Sequence, residues 1–484
     1  MEQPRKELNR GILLFVILLG AFLSVLNQTI LNVALPDLMV QFEVSPTTVQ
    51  WLATGFMLVN GILIPVTAFL MKRFTTRQLF IASMLFLLIG TFLNAVAPNF
   101  AILLTGRLVQ AAGAGIIMPL LMMVVLVVFP ENGRGTAMGL IGLVMIFAPA
   151  IGPTLAGFVI EQYSWRWIFI GMFPLVAIVI ALSFKYLVNV SETSKAKTDI
   201  IGIIYSTIGF GVILYGFSSA GTKGWGSPLV LSCLLIGALF IVLFCHRQLV
   251  STDPMLDLRV FKERMFTMTS LINVFLTIVM YADLILLPMY LQTSRGFTVL
   301  DTGLLLLPGA LINALMSPIT GRLFDKFGAK PLAIIGLLFV IPSVWEVTHL
   351  SDSTGYTFLM VRTIFLRIGL SFLTMPLTGA GLNALPKHLN AHGSAVTNTV
   401  RQIAGAIGTA LVITIMTTKT TSHTTELMSA NPTLSQAQIL KDASIMGISD
   451  AYMFTVILSI IAFLLTLVMP NKNQSTEEQV ETSN

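Results

Sequence analysis

The sequence is poor in the groups that carry out covalent chemistry. Only 10% of its 484 residues are charged, and it contains five histidines and two cysteines. It has no HExxH motif, no GxSxG at a plausible turn and no GxxxxGK[ST] loop, so neither an intramembrane enzyme nor ATP-driven pumping by this chain is expected. Cys233 and Cys245 fall twelve residues apart in one predicted helix, which excludes a disulfide between them. Scattered histidines without paired cysteines predict no metal site. The 28 Lys and Arg exceed the 22 acids, but the excess collects in short loops beside apolar runs. An anionic membrane surface accounts for it, and nucleic acid is not an expected partner.

Apolar sequence is what the chain has in abundance. Hydrophobic residues make up 55%, with a mean hydropathy of +0.87, well outside the range of soluble domains. Runs long enough to cross a hydrocarbon core of about 30 Å recur along the chain, and helices are the expected spanning elements. Fourteen are predicted, at 11–34, 49–71, 78–97, 101–128, 136–159, 167–188, 200–219, 229–248, 267–292, 303–321, 331–349, 356–380, 395–417 and 450–470. The first run is longer than a signal-peptide core and lacks a clear small-residue cleavage site, so it reads as helix one. Residues 418–449, rich in Thr and Ser, read as an external loop with room for a short helix, and the tail 471–484 as disordered.

Charge sets the expected orientation. With the N-terminus inside, 19 of the 28 Lys and Arg fall on the cytoplasmic side and five outside (Arg166, Lys223, Arg295, Lys419, Lys441), while Arg107, Arg362, Arg367 and Arg401 fall within spans. Both termini are therefore expected in the cytoplasm.

The chain also repeats. TAFLMKRFTTRQ, with Arg73 and Arg77, follows the second predicted helix, and GRLFDKFGAKP, with Gly321, Arg322, Asp325, Gly328 and Lys330, follows the tenth. Two parallel six-helix halves with an inserted helix pair fit that pattern. The expected organisation is a six-helix bundle over 1–190, two inserted helices and a linker over 191–265, a second six-helix bundle over 266–470 and a tail over 471–484.

Gly321 to Lys330 resembles the loop signature G-x-x-x-D-[RK]-x-G-x-[RK] of the major facilitator superfamily. The first copy departs from it, with Lys72 at the position of the acid and Thr75 at that of the glycine. LLTGRLVQAAGAGIIMPL resembles the family's arginine-bearing motif, APAIGPTLAG its antiporter motif, and SWRWIFIGMFP the opening of helix six in its fourteen-helix drug:proton antiporters. The resemblance covers essentially the whole chain and is closest to lincomycin and multidrug exporters of Gram-positive bacteria. It implies an all-α integral membrane protein of the major facilitator fold, two six-helix bundles plus two inserted helices, in a bacterial cell membrane. It further implies a monomeric exporter of amphipathic drugs, lincosamide-like compounds and dyes, with lipid around it, no cofactor and the proton motive force as its drive. An exporter or flippase of lipids or peptides on the same fold is the alternative.

Individual residues carry a physical reading of their own. Pro149 and Pro153 remove backbone donors and bend the fifth helix, and Gly152 and Gly157 let a neighbour approach, unless they serve ordinary packing. Arg107, followed by Gln110, is too costly to face lipid and should face a wet cavity or a partner, the alternative being snorkelling to headgroups. The resemblance gives Arg107 a part in proton coupling. Asp283 is the one acid near the middle of a span, and so either carries protons or pairs with an arginine such as Arg367 or Arg401. Glu161, at the outer end of helix five, either titrates with the gate or is a solvated loop acid. Arg367 meets the same energetic objection to lipid as Arg107, whereas Arg401 lies near enough to the cytoplasmic end to snorkel.

The two amides Asn27 and Gln28 sit well inside the first run, in LNQTILNVALP. The resembling antiporters commonly have an acid where this chain has Asn27, and an amide can carry neither proton nor charge. Two alternatives stand: Asn27 and Gln28 are polar hooks for a partly neutral substrate, or they make interhelical hydrogen bonds only.

Overall fold

The structure, a computed structural model, describes residues 10–44, 46–49, 51–190, 199–251, 254–430 and 435–470. The described residues form helices and no strands. Fourteen are at least 18 residues long: α1 (Arg10–Ile30), α2 (Trp51–Arg73), α3 (Thr76–Ala95), α4 (Phe100–Val128), α5 (Glu131–Gln162), α6 (Arg166–Tyr186), α7 (Ile200–Lys223), α8 (Pro228–Val250), α9 (Arg264–Met289), α10 (Val299–Phe327), α11 (Ala329–Glu346), α12 (Tyr356–Asn383), α13 (Asn390–Ala430) and α14 (Gln436–Val468). Twelve are long and apolar enough to cross a membrane among the described residues, or thirteen when α2, bent by 53° between Trp51–Leu63 and Val66–Arg73, counts as one span. The bend falls where the sequence has Pro65, which lacks a backbone donor. In α5 only Gly133–Pro149 is an apolar stretch among the described residues, too short to span, so twelve or thirteen of the fourteen expected spans are found.

Helix starts follow side chains that satisfy the free amides of the first turn. Asn99 accepts from Ile102 N, and Ser435 accepts from Gln438 N. The two basic turns solve the same problem differently. Gly328, the one residue between α10 and α11, has φ +79, a conformation that favours glycine. Thr75, at the corresponding place in the first copy, is extended at φ −70 and forms a capping box with Gln78 at the start of α3.

One expectation is overturned between α13 and α14. Residues 418–430 continue α13 to a length of 41 residues, and α14 begins at Gln436 rather than near 450. The Thr and Ser side chains that suggested a loop bond back along the helix: Thr417 to Ile413 O, Thr421 to Thr417 O, Thr424 to Thr420 O and Ser429 to Thr425 O. Satisfied in this way, they do not compete with the helix. Gly447 of α14 brings the two extensions together, since a Cβ there would stand 2.8 Å from Thr420 N.

Two compact units divide the chain. Unit 1 comprises Met1–Tyr215, Leu235–Val260 and Leu385–Thr399, and unit 2 comprises Gly216–Leu234, Phe261–Ala384 and Val400–Asn484. Within unit 1, α4 packs on α1, α2 and α3, and α6 packs on α1 and α3; within unit 2, α12 packs on α9, α10 and α11, and α14 packs on α9 and α11. The same helix order makes the same contacts twice. Close crossings recur too: Gly90 meets Gly106 across α3 and α4, and Gly336 meets Gly369 across α11 and α12, where a Cβ on either would lie 2.7 Å from the other's carbonyl oxygen. In the inserted pair, α7 and α8 cross at Gly237, beside Ile213, while Leu235, Leu239 and Val242 of α8 stay exposed, as lipid-facing residues do.

Candidate functional site

Each unit buries a polar cluster around an arginine of its fourth helix. In unit 2, Asp283 of α9 is 1% exposed. Arg362 Nη1 of α12 donates to its Oδ1 at 2.6 Å, Arg367 Nη2 to its Oδ2 at 3.3 Å, and the Tyr452 hydroxyl of α14 to Oδ1 at 3.3 Å. Arg362 is tied further by Nε donating to Ser343 O at 2.6 Å and lies over the Tyr452 ring, 5.5 Å from its centre. Ala282, Leu286 and Leu359, fully buried, pack in one apolar cluster with Tyr452. Charge-assisted bonds shielded from water are strong and directional, so the carboxylate joins three helices at one point.

The ion-pair alternative for Asp283 is therefore realised, with partners that differ in part from those expected. Arg362, absent from the expected site, is the closer one; Arg367 is the second; Arg401 is half-buried on α13. Tyr452 also escaped the sequence reading. A lone Tyr in an apolar run carries no signal until its hydroxyl is seen to reach a partner.

In unit 1, Arg107 of α4 is 1% exposed, too deep to snorkel. Its Nη1 donates to Asn27 O at 3.0 Å and Gln110 Oε1 at 3.1 Å, its Nε to Leu52 O at 3.5 Å, and its guanidinium lies 4.5 Å from the Phe56 ring centre. Gln110 is held in turn, accepting from Asn94 Nδ2 at 3.0 Å and donating to Thr91 Oγ1 at 2.9 Å. Among the described residues, every hydrogen-bond acceptor that meets Arg107 is neutral. Asn27 is completely buried, and among the described residues neither Oδ1 nor Nδ2 has a hydrogen-bond partner. Gln28, one residue on, is half-buried. Arg107 and Gln110 share a helix face at i, i+3, which the sequence displays; Asn94, Thr91 and Phe56 come from other helices, and nothing in the sequence singles them out.

The remaining candidates divide. Gly152 of α5 does admit a neighbour: a Cβ there would lie 2.6 Å from Thr29 Oγ1 of α1, while Gly157 faces open space, so the close approach expected at both is made at Gly152. Helix α5 runs unbroken past Pro149. The side chains of Pro153 and Glu161 lie outside the described residues. Arg73 is exposed at the end of α2, and Arg77 donates to Phe184 O at 2.5 Å while packing over the Phe184 ring. Gly321 is buried, Arg322 exposed, and Asp325 and Lys330 half-buried around the Gly328 turn. Among the described residues, no cluster of His, Cys, Asp or Glu could hold a metal ion.

The sequence model of the Major Facilitator Superfamily matches residues 17–409. An uncharacterized MFS-type transporter of Bacillus subtilis (strain 168), YhcA, is 46% identical over 94% of this chain and 92% of its own. The lincomycin resistance protein LmrB of the same organism is 42% identical over 93% of each chain. The crystal structure of the human organic anion transporter MFSD10 shares the fold, with a TM-score of 0.68 and 13% identity over 96% of this chain and 100% of that one.

Proposed function

Because this chain belongs to the Major Facilitator Superfamily, a family of membrane transporters and not of enzymes, we propose that it exports amphipathic drugs across a bacterial plasma membrane in exchange for protons. The reading takes fourteen spanning helices, both termini in the cytoplasm, a monomer and alternating access by two six-helix halves. Its substrates are lincosamide-like antibiotics and dyes. The extended similarity to a lincomycin resistance protein supports export, and the buried Asp283 cluster supports coupling to protons.

Asp283 is the acid proposed to carry the proton. As a carboxylate it holds Arg362, Arg367 and the Tyr452 hydroxyl together. A proton added to it cancels the charge that binds both arginines and turns one acceptor oxygen into a donor. The link between α9, α12 and α14 then weakens, and restoring the carboxylate rebuilds it. Loading and unloading one proton thus switches a three-helix contact, which is the element a coupled transporter needs. Glu161, beside the antiporter motif, is the second candidate acid, and Arg107 contributes to coupling from unit 1.

The test uses inside-out vesicles with an imposed pH gradient, following proton movement on addition of lincomycin or ethidium. The wild type is expected to release protons in response to substrate, and Asp283→Asn to bind substrate without doing so. Persistent coupling in the variant moves the carrier to Glu161; absence of any substrate-evoked proton movement in the wild type rules out proton-driven export.

A further inference from the structure

In unit 1 the start of α3 is fastened to the end of α6. Arg77 Nη2 donates to Phe184 O at 2.5 Å, the Arg77 backbone N–H donates to Asn189 Oδ1 at 3.2 Å, and the guanidinium lies over the Phe184 ring, 5.7 Å from its centre. Beside this junction runs an open groove of about 370 Å³, lined by Arg77, Gln78, Ile81, Ala82 and Leu85 of α3 and by Phe184 of α6. The α3 residues occupy successive turns of one helix face, so the groove extends about 12 Å along the axis from a polar mouth to apolar side chains. Ile89 and Phe92 continue that face beyond Leu85, and all three are exposed, as side chains against acyl chains are.

The mouth of the groove offers donors. The Phe184 carbonyl takes one of the five N–H groups of Arg77 and holds the planar fork in place. Gln78 Oε1 accepts from Thr75 N in the capping box, which leaves its NH2 group to face a ligand. Arg73 and Lys185, both exposed, add positive charge at the ends of α2 and α6, and α2, α3 and α6 contain no acidic residue to balance it. A phosphate accepts two parallel bonds from a guanidinium, and the surrounding cations favour a headgroup that carries no positive charge of its own. We propose that this groove binds an anionic phospholipid of the adjoining leaflet, the inner one in the orientation proposed above, with its phosphate on Arg77 and Gln78 and an acyl chain along Ile81, Ala82 and Leu85 against Phe184. The lipid braces the junction of α3 and α6 that Arg77 already ties. A cationic drug meets only like charge at the mouth, which separates this site from the transport path.

The test uses the full-length protein, delipidated in detergent and titrated with phosphatidylglycerol or with phosphatidylcholine of the same acyl chains. Bound lipid is counted by native mass spectrometry, and stability is followed by thermal melting. The wild type is expected to bind phosphatidylglycerol at least tenfold more tightly than phosphatidylcholine and to melt higher in its presence. Arg77→Gln removes the cation, and Ala82→Phe fills the groove while keeping the cation; each is expected to weaken phosphatidylglycerol binding at least tenfold. The second variant keeps the result readable should the first, which also loses the bond to Phe184, fold poorly. Arg10→Gln, which removes an exposed cation at the start of α1, is expected to leave binding within twofold. An equal loss in Arg10→Gln reports diffuse attraction to the basic face, and stabilisation by inorganic phosphate equal to that by phosphatidylglycerol reports an anion contact without a lipid. Either result overturns the assignment, as does unchanged binding in folded Ala82→Phe. Binding is read without transport, so a failure of the export reading leaves this outcome unaffected.

Discussion

Removing Asp283 or Arg362 alone should cost more than removing both. Each single substitution, Asp283→Ala or Arg362→Ala, leaves a buried charge without its partner, a loss of about 3–5 kcal/mol. Asp283→Leu with Arg362→Met replaces the closer pair by apolar volume and, with Arg367 changed to Met as well, is expected to recover most of that, as a mutant cycle on thermal unfolding in nanodiscs will show. A second charge works at the edge of the inserted pair. Burial pushes the Asp199 carboxyl up, but Gly202 N–H, Arg247 and Gln248 outweigh that and hold it below the usual carboxylate range. A carboxyl with a depressed folded pKa stabilises the protein above its unfolded value of about 4 and ceases to as pH falls through the folded one. Asp199→Asn is therefore expected to lower stability by about 1 kcal/mol at pH 7 and to flatten the decline of the melting temperature below pH 4. At this scale the sequence makes Asp283 and Arg107 legible, because an ion in an apolar run is expensive wherever it points. Which arginine meets the acid depends on helix rotation, so Arg362, 79 residues away, was indistinguishable from Arg367 and Arg401.

Between elements, the decisive contacts are made by absent side chains. Gly336 and Gly369 let α11 and α12 touch backbone to backbone. Gly369→Val forces its methyl groups into Gly336 and Phe339, and a loss of about 1–3 kcal/mol or more is expected from overpacking. Lower yield of folded protein by size-exclusion chromatography, with an unaffected Gly171→Val as control since Gly171 has open space around it, would register it. Helix positions were readable because length and apolarity decide what spans a bilayer. The ends of α13 and α14 were not, because Thr- and Ser-rich sequence signals a loop only while its hydroxyls look for backbone partners outside the helix. Here Thr417 to Ser429 find theirs within it.

For the whole molecule, orientation is the property that charge alone predicts. Only Cys233 and Cys245 must be replaced to obtain a cysteine-free chain. On that background, Ser435→Cys is expected to react with an impermeant maleimide added to intact cells, and Thr75→Cys only after permeabilisation. The reverse pattern would put the termini outside. The repeat was legible from two basic turns, yet the turns said nothing of its most informative departure. That the two halves differ by an acid on the first helix became visible only when Asn27 and Asp283 were found beneath equivalent arginines.

The length of α13 has a mechanical consequence. Its 41 residues extend about 60 Å, twice the hydrocarbon thickness, and residues 418–430 alone carry it about 20 Å past the expected span 395–417. A rod held over its expected span magnifies rotation at its free end: a tilt of about 10° carries the end of an extension of about 20 Å about 3.5 Å sideways, while the held part shifts by less. The paired extensions of α13 and α14 therefore serve as a pointer, and a spin label or fluorophore at Ser435 would register small tilts inside the bilayer as displacements large enough to measure.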